Sequence, residues 1–412
     1  MPSPTNGSTK ALPTAGTAAI LADAAQSRKP AVSKRDVLYA ETLKFFFQPV
    51  AKLLFEDESV SEVMINGAKE IYVERKGKVE RAAGVQFPDD AALAAAVRNL
   101  AEFVDRHVDA SSPTMDARLP EPFKYRVNVI APPISRVGLC VTIRKFKENN
   151  WDLNTLIQFG SLTPMAAEYM ELMVKTHHNV MVSGGTGSGK TSLLNALSAA
   201  IADTERVIVI EDSSELRLLK PHVVYLEARP AGPDGKGAVT IRDCFVNSLR
   251  MRPDRIIVGE IRRGEALDLI QSMLSGHDGA LSTVHASTPL LALTRLETLC
   301  LMNDVGLPVY VARAQVGSAI HTIIQVSRFP DGSRRVREIS EVIGLGPDDK
   351  YVMRPIFKFA QTGFGDDGKI LGELRWTGEV SRFAEELQES RAMLKALYHC
   401  EIRDTGGIWG MA

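Results

Sequence analysis

The chain has 412 residues, enough for two or three domains, and its 45% hydrophobic and 24% charged residues are typical of a globular protein. A formal net charge of −1 excludes a global attraction to nucleic acid or anionic lipid, and no apolar stretch approaches the roughly 18 residues of a membrane span. The four cysteines are far apart, which argues against a zinc site or a disulfide framework and favours a reducing, cytoplasmic location.

The first 35 residues predict a disordered basic tail. They are rich in Ser, Thr, Ala, Pro and Gly, lack aromatic residues, and carry more Lys and Arg than acidic residues. Such a tail can tether a protein to an anionic surface, although a solvated tail accounts for it more simply.

Residues 36–146 predict a small α+β domain. The pattern favours helices at 36–56 and 90–107 and short strands at 63–66, 70–74, 78–81, 125–130 and 139–144. In the last two strands, alternation places Arg126 and Arg144 on polar faces, away from the small core. The sequence shows no local partner that could pair with both of them.

A linker at 147–160 leads to an α/β nucleotide domain at 161–412. Apolar strand-like runs at 178–183, 206–211, 222–227, 255–260 and 280–285 alternate with helical stretches, which predicts a mainly parallel sheet covered by helices. A hairpin near 323–342 and an amphipathic helix at 380–399 complete the predicted domain.

A glycine-rich loop at 184–191 fits the phosphate-binding pattern G-x-x-x-x-G-K-[ST] and stands between a predicted strand and a predicted helix. We expect its backbone N–H groups to converge on phosphate, Lys190 to meet the β- and γ-phosphates of ATP, and Thr191 to give its hydroxyl to Mg²⁺. The residues expected at the nucleotide are Gly184, Gly185, Thr186, Gly187, Ser188, Gly189, Lys190, Thr191 and Ser192. A flexible glycine loop without a ligand is the alternative, and the flanking elements argue against it.

Acidic residues follow two further predicted strands. Glu211, Asp212 and Glu215 come directly after one, and we expect them to reach Mg²⁺, partly through water, or to polarise the attacking water. A helix N-cap is the alternative for this run. The next strand ends in Gly259-Glu260, where many triphosphatases carry Asp-Glu. Metal contact from position 259 is therefore lost, and Glu260 is the candidate general base, with a plain surface glutamate as the alternative.

Two histidines lie eight residues apart in the run 276–285, His277 after a predicted helix and His285 at the end of a predicted strand. Either can hydrogen-bond to a γ-phosphate or to the water beside it and so report hydrolysis. Structural hydrogen bonding is the alternative. A metal site is disfavoured because no further Cys or His stands at ligand spacing.

The phosphate loop, the acidic run 210–215, the run 250–260 and the histidine pair together resemble the secretion ATPase superfamily of type II and type IV systems. The string Glu-Ala-Arg-Pro…Gly-Lys-Gly-Ala-Val-Thr-Ile-Arg at 227–242 is most similar to the CpaF branch, which drives tight-adherence (Tad) pili. The resemblance covers about residues 40–345 and leaves out the tail 1–35 and the segment after about 350.

The resemblance implies a RecA-like ATPase domain, a hexameric ring, and ATP with Mg²⁺ bound between the two domains. It also implies that arginines of the N-terminal domain reach the phosphates, and Arg118, Arg126 and Arg144 match them, with salt-bridged surface arginines as the alternative. The implied function is a cytoplasmic motor, peripheral to the bacterial inner membrane, that acts on platform proteins to assemble or retract a Tad or type IV-like pilus.

Other functions stay open at this point. They are a conjugation-type type IV secretion ATPase, a nucleotide-gated nucleic-acid translocase, and a switch that binds ATP without turnover, which Gly259 keeps open. No basic stretch with interleaved aromatic residues supports binding of nucleic acid, so we do not expect nucleic acid as a partner.

Overall fold

The computed structural model describes residues 34–390 except 76, 121–122, 146–150 and 233–234. Nearly all of the predicted tail 1–35, the start of the predicted linker and the end of the helix predicted at 380–399 lie outside the described residues. The described part is a mixed α/β fold built on one six-stranded and one nine-stranded sheet. No helix of this part combines the length and the apolar character needed to cross a bilayer.

The N-terminal domain is an antiparallel sheet with helices packed on its apolar face. Its strands are β1 (Val60–Asn66), β2 (Ile71–Arg75), β3 (Lys78–Arg81), β4 (Thr114–Arg118), β5 (Arg126–Ile130) and β6 (Cys140–Arg144), in the order β3-β2-β1-β6-β5-β4. Alternate residues such as Val127 and Val129 are buried in a core shared with the helices Lys34–Phe46 and Asp90–Phe103. This alternation leaves the opposite face of the sheet polar, as expected.

Two details of this domain differ from the prediction. The helix predicted at 36–56 divides into Lys34–Phe46, Gln48–Ala51 and the π-helical turn Lys52–Glu56. Pro49 lies in the first turn of the second helix. Because proline has no backbone N–H to donate, the first helix does not continue through it. The strand β4 is not predicted, because only Met115 in it is buried and its pattern is weak.

The C-terminal domain contains the larger sheet. Its strands are β7 (Val180–Gly184), β8 (Val207–Glu211), β9 (Val223–Glu227), β10 (Arg255–Val258), β11 (Leu281–Val284), β12 (Thr322–Arg328), β13 (Arg334–Leu345), β14 (Tyr351–Phe364) and β15 (Ile370–Trp376). The order is β15-β14-β13-β12-β7-β11-β10-β8-β9, and the six strands from β12 to β9 are parallel. The mainly parallel sheet is therefore present, extended by an antiparallel meander.

Helices cover both faces of this sheet, as the predicted alternation requires. They are Leu153–Gln158, Pro164–Lys175, Lys190–Ser198, Ile241–Ser248, Glu265–Leu274, Pro289–Leu301 and Val309–Ala319. Every residue of β7 and β8 is buried, which explains their unbroken apolar runs. Because these strands are parallel, the residues that follow them meet at one edge of the sheet.

The second half of the predicted linker belongs to the C-terminal domain. Asp152 caps the helix Leu153–Gln158 by accepting a hydrogen bond from the backbone N–H of Thr155 at 2.8 Å. Leu156 of this helix is buried in the core under the sheet. The polar Asn-Asn-Trp-Asp run reads as a linker in the sequence, yet its Asp is a helix cap and its Trp151 packs against that core.

Strands β14 and β15 are not predicted from the sequence. Both are partly exposed, so their side chains alternate poorly between apolar and polar. β14 pairs with the second strand of the predicted hairpin and β15 pairs with β14, so the sheet extends well beyond residue 350.

Arginine side chains join the two domains. Arg106 donates hydrogen bonds to the carbonyl oxygens of Ala231 and Pro230, which belong to the loop after β9. Arg328, at the end of β12, donates to the carbonyl of Gly77 in the β2–β3 turn. The polar face of the small sheet is thereby turned toward the edge of the large one.

Arg255 at the start of β10 makes a testable contribution to stability. Its fully buried side chain pairs with Glu205 and donates to the carbonyls of Gly279 and Val174. We expect Arg255→Ala to lower the free energy of unfolding by about 3–5 kcal/mol, since it removes a fully buried guanidinium together with its ion pair to Glu205 and its hydrogen bonds to two carbonyls. Denaturant unfolding measures this loss. Arg375→Ala is the control, because its pair with Glu373 is more than half exposed and should contribute little.

Candidate functional site

The phosphate-binding pattern forms a loop between the end of β7 and the helix Lys190–Ser198. Gly187 and Gly189 adopt φ values of 68° and 98°, which residues with a side chain rarely adopt. Gly189 is the N-cap and no side chain caps the helix, so its first N–H groups remain available to an anion. Arg334 from β13 donates to the carbonyl of Gly187 at 2.8 Å and supports the loop from the side.

Lys190 points back into this loop. Its ammonium group donates to the carbonyls of Gly184 and Gly185, both at 3.1 Å, and lies 3.2 Å from Nε2 of His285. Burial lowers the pKa of Lys190, while the charges of Glu260 and Glu215 oppose the shift. The ammonium group of Lys190 therefore lies inside the loop, and its contact with phosphate stays a prediction.

Thr191 and Glu215 lie side by side next to the loop. The Thr191 hydroxyl donates to Oε2 of Glu215 at 3.2 Å. A hydroxyl and a carboxylate beside a phosphate loop suit Mg²⁺, which uses one or two protein ligands together with phosphate and water. The described residues contain no cluster of three or more His, Cys, Asp or Glu arranged to hold a metal ion by themselves.

Glu211 does not fit the metal role expected for it. Its side chain is turned inward and is only 4% exposed, and its Oε1 accepts the backbone N–H groups of Glu215 and Leu216 at 2.9 and 3.0 Å. Burial raises its pKa to about 8, although the two N–H bonds oppose the shift. A buried side chain with one oxygen committed to two backbone N–H groups is poorly placed to serve as a ligand for Mg²⁺. Asp212, also expected at the metal, pairs with Arg262.

Glu260 follows β10 and lies between the side chains of His285 and Arg262. Its Oε1 is 3.0 Å from Nε2 of His285, and its Oε2 accepts from Arg262 at 2.8 Å. Burial alone would raise the pKa of Glu260, but the hydrogen bond and charge of Arg262, with the charges of His285 and Lys190, outweigh it and lower the pKa. The carboxylate is therefore held ionised beside the phosphate loop, as a general base or water-orienting group requires.

The structure separates the two histidines. His285 follows β11 at the same edge as the phosphate loop, in contact with Glu260 and Lys190. Burial and the charge of Lys190 lower the pKa of His285. His277 precedes β11 and so lies at the opposite edge of the sheet, at least about 10 Å away along a four-residue strand. A γ-phosphate contact from His277 within the same chain is not supported by this placement.

The three candidate arginines of the N-terminal domain form one row across its polar face. In the antiparallel pairing Arg118 lies opposite Arg126, and Arg126 lies opposite Arg144. Directly opposed residues share a face of the sheet, and like charges in such positions destabilise it. A row of three guanidinium groups therefore needs anions in front of it.

Carboxylates of both domains face this row. Arg144 lies 3.8 Å from Oε1 of Glu215, and Arg118 lies 3.5 Å from Glu227 at the end of β9. Arg126 donates to both oxygens of Asp116, at 2.8 and 3.2 Å. Asp116 lies on the strand β4, which the sequence pattern did not predict, and it gives Arg126 a partner within its own domain but does not pair with Arg144. Glu215 connects Arg144 to Thr191 of the phosphate loop.

Two residues of this site were missed in the sequence. Arg262 contacts both Glu260 and Asp212, and Asp116 orients Arg126. Arg262 could have been found in the sequence from its position two residues after Glu260. No local pattern marks Asp116, since its role depends on strand pairing.

A glycine loop of the phosphate-binding pattern lies at one edge of a largely parallel sheet and faces a row of arginines. This arrangement defines a candidate nucleotide-binding site. The chain belongs to the family of type II/IV secretion system proteins, whose model matches residues 46–339. It is 32% identical over 325 residues to a putative conjugal transfer protein of Mycobacterium tuberculosis, covering 78% of this chain and 91% of that protein.

One further relative and one solved structure are also similar to this chain. The type IV secretion system protein PtlH of Bordetella pertussis is 34% identical over 306 residues, which cover 68% of this chain and 88% of PtlH. The crystal structure of the Legionella pneumophila ATPase DotB matches with a TM-score of 0.51 and 18% identity, covering 76% of this chain and 82% of DotB. The likeness to DotB concerns the fold alone.

Proposed function

We propose that this protein hydrolyses ATP with Mg²⁺ and uses the energy for mechanical work. The observation that carries the proposal is the ionised Glu260, held between His285 and Arg262 at the edge where Lys190 and Thr191 lie. A phosphate cradle alone would serve a binding protein. Turnover also needs a group that orients or deprotonates the attacking water, and an ionised carboxylate at the γ-phosphate side of the cradle supplies it.

The residues take distinct roles in this proposal. The loop 184–192 binds the phosphates, Lys190 neutralises them, and Thr191 with Glu215 holds Mg²⁺, directly or through water. Mg²⁺, when bound, would offset the negative charge of the phosphates. Glu260 orients or deprotonates the attacking water, and His285 contacts the γ-phosphate side.

We infer that the RecA-like domain works in a hexameric ring and that Arg118, Arg126 and Arg144 complete the site on domain closure. Their row already faces Glu215 and Glu227 in this chain. Light scattering should show hexamers, more strongly with a non-hydrolysable ATP analogue.

The system that such a motor serves is a further proposal. The run at 227–242 favours the CpaF branch and so a Tad or type IV-like pilus, with inner-membrane platform proteins as partners at the cytoplasmic face. The relatives named for conjugal transfer and type IV secretion favour a conjugation-type ATPase as the second candidate. A nucleic-acid translocase would show ATPase stimulation by single-stranded DNA that falls steeply with salt.

The direct test is release of phosphate from ATP by the purified full-length chain, with and without Mg²⁺. We expect Mg²⁺-dependent turnover, and we expect Lys190→Ala to lose both turnover and ATP binding, since the phosphate charge is no longer matched. Lys175→Ala is the matched control, because Lys175 pairs with Glu171 on a helix away from the loop. ATP binding without any turnover by the unmodified protein would favour a nucleotide switch instead.

A further inference from the structure

Two buried glutamates each hold the loop that follows a strand of the site. Glu211 ends β8 and Glu265 begins the helix Glu265–Leu274, and they are 4% and 8% exposed. Each uses a single carboxylate oxygen to accept two consecutive backbone N–H groups. The arrangement is the same in both places, although the two loops are unrelated in sequence.

Glu211 holds the loop that carries Glu215. Its Oε1 accepts the N–H groups of Glu215 and Leu216, so the carboxylate of Glu215 can face Thr191 and Arg144. Gly259 on the neighbouring strand leaves the space for this side chain. A Cβ at position 259 would lie 2.8 Å from Cγ of Glu211. The glycine that replaces an acidic residue here is therefore required by the buried glutamate.

Glu265 holds the loop that carries Arg262. Its Oε1 accepts the N–H groups of Arg262 and Arg263 at 2.7 and 2.8 Å. The guanidinium of Arg262 then reaches both Glu260 and Asp212. A displaced Arg262 would release Glu260 from one of its two partners.

We propose that Glu211 and Glu265 are positioning residues, Glu211 for the Thr191–Glu215 pair and Glu265 for the Arg262–Glu260 pair. In each of these buried side chains, one carboxylate oxygen is committed to two backbone N–H groups of the loop that the glutamate holds. The proposal rests on the proposed ATPase function and specifies how its site is held in place. Within the acidic run 211–215, Glu211 thus positions the loop, whereas Glu215 faces Thr191 and Arg144.

The test compares alanine and glutamine variants of the full-length protein. An amide oxygen can accept the same two N–H groups, so Glu211→Gln and Glu265→Gln should keep turnover within about threefold of the unmodified protein. Glu211→Ala and Glu265→Ala should lower kcat about 10- to 100-fold, as expected for a group displaced by about 1 Å. Gly259→Ala should resemble Glu211→Ala, although it leaves the carboxylate in place. Thermal unfolding and binding of a fluorescent ATP analogue verify that each variant is folded.

The Mg²⁺ dependence separates the two glutamates. Glu211→Ala and Gly259→Ala should raise the Mg²⁺ concentration for half-maximal turnover, because Glu215 is displaced, whereas Glu265→Ala should leave it unchanged and lower kcat alone. Glutamine variants as inactive as the alanine variants would overturn the proposal, since the charge itself would then act. Alanine variants with normal turnover would overturn it equally. An unmodified protein without turnover would contradict the ATPase function rather than the positioning roles.

Discussion

Glu260→Gln should bind ATP with Mg²⁺ as tightly as the unmodified protein and hydrolyse it at least about 100-fold more slowly, as expected when a general base is lost. The amide keeps the size of the side chain and can still accept from Arg262, so the site should stay assembled. What it loses is the negative charge that His285, Arg262 and Lys190 stabilise. Single-turnover hydrolysis together with equilibrium binding of ATP measures both quantities.

The control for this variant is Glu171→Gln, a partly exposed glutamate on the helix Pro164–Lys175 that pairs with Lys175. It should leave both quantities unchanged. Near-normal turnover by Glu260→Gln would show that the base is another group. Glu215 would then be the next candidate, because Glu211 is buried under its own loop.

Arg126→Ala and Arg144→Ala should each lower kcat by about 100-fold or more with a much smaller change in ATP affinity. Arginines that meet the transferring phosphoryl group stabilise charge that is greatest in the transition state. Lysine should be a poor replacement at either position, since it lacks the planar fork of donors. The kcat and the Kd for ATP, measured separately, test this expectation.

Arg136→Ala provides the matched control within the same hairpin. Arg136 is exposed in the loop between β5 and β6, at the end of these strands opposite to Arg126 and Arg144. Its removal should leave kcat unchanged. Equal losses at Arg136 and Arg144 would indicate a general effect of charge and would contradict a specific role for the row.

Much of the site could be predicted because its residues stand at strand ends. The phosphate loop, the acidic run 211–215, Glu260 and His285 each follow an apolar run, and parallel strands bring such residues to one edge. The α+β domain followed by a mainly parallel sheet could be predicted for the same reason, since alternation and apolar runs depend on local burial. β4, β14 and β15 could not, because their burial is partial and comes from distant partners.

The sequence by itself determined the identity and order of the chemical groups: a loop of small residues for phosphate, a lysine, carboxylates and histidines in fixed succession. Only the tertiary structure decided which of them work together, because parallel and antiparallel pairing sets distances that no spacing along the chain contains. The position of His277 before β11 places it at the opposite edge of the large sheet from the phosphate loop. Antiparallel pairing in the small sheet aligns Arg118, Arg126 and Arg144 in one row. Packing turned Glu211 inward against Gly259, where the absence of a Cβ leaves room for it, and the loop that Glu211 holds lets Glu215 face Thr191.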